Sequence, residues 1–167
     1  MTWDLLAETR SHMEEPNYVI LEGTPSGNTW IPLQTTDIEL EINAICASSA
    51  TLRVHLVLSD LEETRIPDGF LRNCNQLVSC VVLERCSKVT AIGADFLSYS
   101  SLTSINMSGL IAVTSIDHNF LSGCSSLTSI NMSLLTAVTS IGNNFLRGCL
   151  SLTLSTVDRK RFAAYLK

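Results

Sequence analysis

Between Phe96 and Leu154 the chain carries only two charged residues, Asp117 and Arg147. Most globular surfaces mix charges of both signs at far higher density, so this stretch must present something else to water. Aromatics are scarce as well, at 6% of residues against 46% hydrophobic in total, which leaves the packing mainly to aliphatic side chains. No apolar run approaches the roughly 18 residues that a membrane-spanning helix needs. The opening residues "MTWDLLAETRSHMEEPN" lack a basic start and an unbroken apolar stretch, so no secretory leader is expected and a cytoplasmic setting is.

The chain also lacks a basic patch. Its net charge is −5, which argues against a nucleic-acid surface. Acids gather at the start, where residues 1–41 hold Asp4, Glu8, Glu14, Glu15, Glu22, Asp37, Glu39 and Glu41 against Arg10 alone. Bases gather at the end, in Arg159, Lys160, Arg161 and Lys167.

Catalytic patterns are missing. There is no Gly-x-Ser-x-Gly and no Gly-rich phosphate loop. His12, His55 and His118 are scattered, with His118 at a turn position expected in solvent and His55 at a position whose register is ambiguous by one residue. Six cysteines occur without a Cys-x-x-Cys, and the six-residue steps between Cys74, Cys80 and Cys86 suit zinc poorly. Cys86 lies between Arg85 and Lys88, which can lower a thiol pKa. A thiol enzyme is therefore one alternative, though no base accompanies it in sequence. No cofactor and no metal site are expected.

What the chain does have is repetition. Leu102–Ser122 laid on Leu127–Arg147 gives 16 identities in 21 positions. The phenylalanines Phe70, Phe96, Phe120 and Phe145 follow one another at steps of 26, 24 and 25 residues. A fainter unit has Ile38, Ile42 and Cys46, which makes about five units in all. Within each unit "LTSINMS" reads as a short strand with Ile105 inward and Ser104 and Asn106 outward. "VTSI" reads as a second strand. Asp95, Asn119 or Asn144 then precedes "FL", where an amide or carboxylate suits the cap of one helical turn. Such a unit buries its apolar face only against its neighbours, so the fold class is a β-rich solenoid of stacked coils. Cys46, Cys74, Cys124 and Cys149 share one repeat position and are expected to stack as buried free thiols. The two "NMS" sequons, at Asn106 and Asn131, recur because the unit recurs.

The frame Leu102, Ile105, Val113, Ile116, Phe120, Cys124, Leu127, continued by Ile130, Val138, Ile141, Gly142, Phe145, Cys149 and Leu152, resembles the BspA-type leucine-rich repeats. The resemblance is strong over residues 52–154, weak over 34–51 and absent from 1–33. It implies a curved solenoid and a role in protein binding or adhesion. The Phe96 unit departs from the pattern, with Tyr99 and Ser100 in place of Gly-Cys and one residue fewer, so a tighter coil is expected there.

The chain then divides into an N-terminal cap over 1–33, a solenoid over 34–154 and a C-terminal capping helix over 155–167. A helix is expected within residues 2–15, with strands at "NYVILEG" and "TWIPL" and with Trp3 and Trp30 plugging the first coil. At the other end Ser155-x-x-Asp158 has the spacing of a cap, and Phe162, Tyr165 and Leu166 share one helical face, with Arg159–Arg161 left in water. The exposed strand positions Thr103, Ser104, Asn106, Ser108, Thr128, Ser129, Asn131 and Ser133, preceded by Val78, Ser79 and Val81, form the candidate contact face. Its neutral character suits a protein partner first and a glycan second, with neither nucleic acid nor membrane. A structural subunit that docks through its caps is the other alternative.

Overall fold

The computed structural model describes residues 4–8, 18–24, 40, 42–44, 47, 53–61, 63–73 and 75–166. Among the described residues ten strands lie in two sheets. The larger has the order β1 (Asp4–Glu8), β2 (Tyr18–Thr24), β3 (Arg53–Ser59), β5 (Val78–Glu84), β7 (Ser104–Asn106) and β9 (Ser129–Asn131). The smaller has β4 (Arg65–Ile66), β6 (Ala91–Ile92), β8 (Ser115–Ile116) and β10 (Ser140–Ile141). From β2 onward every pair is parallel. Each coil thus sends one strand to each sheet and returns about 25 residues later, stacked about 4.8 Å along.

The short strands follow from the side chains. Alternation puts Val54, Leu56 and Leu58 of β3 in the core, and Ile66, Ile92 and Ile116 fill the equivalent slots of the small sheet. Threonine opens the strands because its hydroxyl finds a bond there. The carbonyl of Thr64 accepts from the Thr90 N–H and from Thr90 Oγ1, at 2.8 and 3.0 Å. Thr114 repeats this on Thr90, and Thr139 on Thr114.

The core between the sheets carries a column of aromatic rings. Phe70, Phe96, Phe120 and Phe145 stack with centroids 5.6, 5.4 and 5.2 Å apart and planes within 12° of parallel. Contacts of this kind add about 0.5–1.5 kcal/mol each beyond burial. The regular Phe step in the sequence is this column.

The segment expected to be a capped helical turn is instead a turn in which alternate residues take the left-handed conformation. Asp95, Leu97 and Tyr99 have φ of 56°, 49° and 55°, and Asn119, Leu121 and Gly123 repeat the pattern at 60°, 52° and 77°. The amides do not cap a turn. Asn119 Nδ2 donates to Asp95 Oδ1 at 2.7 Å, and Asn144 Nδ2 donates to Asn119 Oδ1 at 2.8 Å, so the polar side chains bond from coil to coil. Leucine in the left-handed region costs about 1–2 kcal/mol. The cost is offset because Leu121 and Leu97 are buried and the Leu121 N–H reaches the Phe96 carbonyl at 2.9 Å. Tyr99, at the position of Gly123 and Gly148, lays its ring where a Cβ on Gly123 would stand, 2.5 Å from its Cδ1.

The cysteine column stands where it is described. Cys124 is buried, Cys149 is half-buried, and Ser100 takes the slot below, with Oγ 3.2 Å from Cys124 Sγ. Cys46 and Cys74 lie outside the described residues.

The ends differ from the sequence reading. β1 stands where part of the helix over 2–15 was expected, paired antiparallel with β2 in a register that sets Leu6 opposite Glu22. Leu5 and Leu6 fit either period, and pairing with β2 decides between them. "NYVILEG" is a strand as expected, while Trp3, "TWIPL", Ile38 and Cys46 lie outside the described residues. Residues 42–44 are helical, and Ile42 is buried.

At the C-terminus Ser155 caps the helix Thr156–Arg161, its Oγ accepting the Asp158 N–H at 3.0 Å. The helix stops at Arg161, short of the face drawn through Phe162, Tyr165 and Leu166. Phe162 is still buried and extends the ring column, 5.3 Å from Phe145 with a 44° tilt. Leu166 is half-buried and Tyr165 is 37% exposed. Arg159 and Lys160 are exposed as expected, but Arg161 donates to the carbonyls of Met132 and Ser133 at 3.1 and 3.4 Å and ties the helix to the last coil.

Candidate functional site: the outer face of the large sheet

Register converts the outward residues of β3, β5, β7 and β9 into two straight rows. His55 pairs with Cys80, Cys80 with Ser104, and Ser104 with Ser129. Beside that row Val57 pairs with Val82, Val82 with Asn106, and Asn106 with Asn131. All eight side chains are half-buried or exposed, while their neighbours Leu56, Val81 and Ile105 are buried. Among the outward residues of these four strands only Arg53 and Glu84 carry a full charge.

The rows correct part of the sequence reading. Val78 and Val81 face the core and are fully buried, so they do not belong to the contact face. The cause is a register shift between Val54 and His55, opposite which β5 carries the extra residue Ser79. A bulge of this kind inverts the alternation on one side of it. Cys80 and Val82 therefore point outward, and His55, expected at an ambiguous slot, lies half-buried in the outer row.

The eight positions singled out from sequence all lie on this face or at its rim, but not all are free to bind. Thr103 Oγ1 donates to the Ser79 carbonyl at 2.9 Å and Thr128 Oγ1 to the Thr103 carbonyl at 3.1 Å. Asn131 Nδ2 donates to Asn106 Oδ1 at 3.0 Å. Asn106 Oδ1 also accepts the Ser108 N–H, and Asn131 Oδ1 accepts both the N–H and the hydroxyl of Ser133. These groups hold the rows in place. Ser104, Ser108 and Ser129 supply the hydroxyls that remain, with Cys80, Val57 and Val82 as apolar contact area. The sequons at Asn106 and Asn131 fall inside this amide ladder, the first half-buried and the second exposed.

A profile of the BspA type leucine rich repeat region matches residues 54–161 in six copies. The chain belongs to the BspA-type leucine-rich repeat family. No curated protein and no solved structure matches it. The BspA-type match begins at β3, so β1 and β2 extend the large sheet beyond the repeats proper.

The ion pairs of this BspA-type solenoid join residues at the turns and the strand ends. Arg85 grips both oxygens of Asp60, Nε donating to Oδ1 at 3.0 Å and to Oδ2 at 3.2 Å and Nη2 to Oδ2 at 2.8 Å. Arg65 bridges Asp68 at 2.8 Å and Asp117 at 3.2 Å, and Arg72 meets Asp95 at 2.6 Å. The Arg85 bond holds the Asp60 carboxyl below the usual carboxylate range, and the Ala94 N–H followed by Arg65 does so for Asp68. The His118 N–H and then Arg65 do the same for Asp117. Carboxylates depressed in the folded state stabilise it above their unfolded pKa and lose that contribution as pH falls through the folded value. We expect stability to decline as pH drops below about 4. Asp68→Asn with Asp117→Asn should flatten that limb, modestly because both groups are solvent-screened. Thermal unfolding across pH reads the effect directly.

Cys86 has no such exposure. It is fully buried, with Sγ 3.0 Å from the Glu84 carbonyl, and burial pushes its thiol up despite Arg85 nearby. A low-pKa nucleophile is therefore not what this position offers. Contact with Cys124 and then burial likewise push the Cys149 thiol up. Among the described residues no cluster of three metal-ligating side chains occurs, and no helix is long and apolar enough to cross a membrane.

Proposed function

We propose that the chain is a non-enzymatic binding module whose contact surface is the outer face of β3, β5, β7 and β9, and that its partner is a protein. The observation that carries this is the pair of in-register rows, His55–Cys80–Ser104–Ser129 and Val57–Val82–Asn106–Asn131. They make one continuous, nearly uncharged strip that grades from apolar at β3 and β5 to hydroxyl and amide at β7 and β9. The strip is preorganised. Its amides and threonines are already bonded along the stack, so binding orders few additional side chains, which is where much of the cost of association lies. A neutral patch that joins apolar area to hydroxyls and amides suits a protein interface better than a site for small ions. Stacked-repeat folds in general bind through such extended faces.

The test is capture by crosslinking from the native source. The unaltered chain is compared with Ser104→Lys, Asn106→Lys, Ser129→Lys and Asn131→Lys combined, and with Ser115→Lys plus Ser140→Lys on the small sheet. The first variant should lose the partner and the second should retain it. Circular dichroism and the unfolding midpoint establish that both remain folded. Retention of the partner by the folded quadruple variant would place the contact at the caps and favour a scaffold role.

A further inference from the structure

We propose that the C-terminal end of the stack is a docking edge for a second copy of this chain, which enters with its acidic N-terminal edge strand. This surface is separate from the strand face discussed above.

β9 is the last strand of the large sheet, and β1 is its first. The β7–β9 pairing shows which groups β9 leaves unpaired. Ser129 N–H bonds to the Thr103 carbonyl, and Met107 N–H bonds to the Asn131 carbonyl. One coil on, the equivalents of the β7 groups that face β9 are the Thr128 carbonyl, the N–H and carbonyl of Ile130, and the Met132 N–H. These point off the end of the stack. Burial falls there too, since Ile105 and Ile116 are 2% exposed whereas Ile130 and Ile141 are only partly covered.

Leu152 and Leu154, which precede the C-terminal helix, pack against the core here, and with the helix they cover only part of this end. Phe162 closes the ring column and Arg161 takes the Met132 and Ser133 carbonyls. Beside β10 a cleft of about 750 Å³ stays open between Ile141, Asn144, Arg147 and Tyr165.

Charge selects the occupant. Over residues 147–167 the bases Arg147, Arg159, Lys160, Arg161 and Lys167 stand against Asp158 as the lone acid. β1, Asp4–Glu8, carries two acids and no base. A symmetric contact of β9 with β9 would oppose two basic ends, whereas head-to-tail contact opposes basic to acidic. β1 runs antiparallel to the rest of the sheet, so a second copy stacked in the same sense presents it antiparallel to β9. Antiparallel ladders are the slightly more stable kind. A heterologous contact of this type does not close on two chains.

Sedimentation velocity over a range of concentrations, at low and high salt, tests the proposal. The expected result is a mean mass that grows past two chains with concentration at low salt and falls back at high salt. Arg159→Glu with Lys160→Glu should weaken association by at least about tenfold. Ile130→Pro should abolish it, because proline removes the outward donor and is tolerated at sheet edges. Mixing the Arg159→Glu, Lys160→Glu chain with an Asp4→Lys, Glu8→Lys chain should restore association. Should Ile130→Pro fail to fold, the charge-swap pair decides alone. A monomer at every concentration, a dimer that stops at two, or association indifferent to the charge swaps would each overturn it.

Discussion

Phe120→Ala should lower the stability of the folded chain by about 3–5 kcal/mol, the range for removing a buried aromatic from a packed core. Phe120 sits between two rings, 5.4 Å from Phe96 and 5.2 Å from Phe145, and is wholly buried. Its loss removes two stacked contacts and leaves a cavity that rigid coils on either side cannot close. In a linear array each unit is stable largely through its neighbours. The damage should therefore appear as uncoupling, with the coils beyond Phe120 losing protection from hydrogen exchange before those that precede it. Phe162→Ala, with one neighbouring ring, should cost clearly less. Denaturant unfolding followed by circular dichroism orders the two. Equal losses would mean that the column is ordinary burial and not a chain of coupled contacts.

The second large effect concerns Asn119. Its side chain donates to Asp95 and accepts from Asn144, and its φ is 60°. Asn119→Gly keeps access to that backbone conformation and removes only the two bonds, at about 0.5–1.5 kcal/mol each. Asn119→Val removes the bonds and forces a β-branched residue into the left-handed region, adding about 1–2 kcal/mol. The expected order is unaltered, then Gly, then Val, with Val about 2–5 kcal/mol below the unaltered chain. The gap between Gly and the unaltered chain measures the ladder. If Gly matched the unaltered chain, the coil-to-coil amide bonds would contribute nothing, and the recurrence of Asn would rest on backbone conformation alone.

Much of this architecture is legible in the sequence because the molecule repeats itself. A buried ring in each coil must recur at the coil length, so the spacing of the phenylalanines alone implies the stacking. The inward positions Ile105 and Ile116 follow from two-residue alternation. Other features have no local signal. Asn119 suits a helix cap and a coil-to-coil bond equally well, since both need a short amide near a turn. Leu121 at positive φ runs against the preference of leucine and is held there only by its neighbours. The bulge at Ser79 reverses the face of Val78 relative to Cys80, and alternation alone gives no warning of an extra residue. That hides half of the candidate face, including Cys80 and Val82. The N-terminal strand β1 is hidden for another reason, because a five-residue apolar-acidic segment takes its conformation from the partner strand.

Cys80 makes the proposed face directly measurable. It is a half-buried free thiol in the middle of the first row, whereas Cys149 is a half-buried free thiol off that face. Alkylation of both, read by peptide mass with and without the captured partner, compares the two sites within one sample. Contact through the strand face predicts that partner binding slows labelling of Cys80 and leaves Cys149 unchanged. Undiminished labelling of Cys80 in the saturated complex would contradict it.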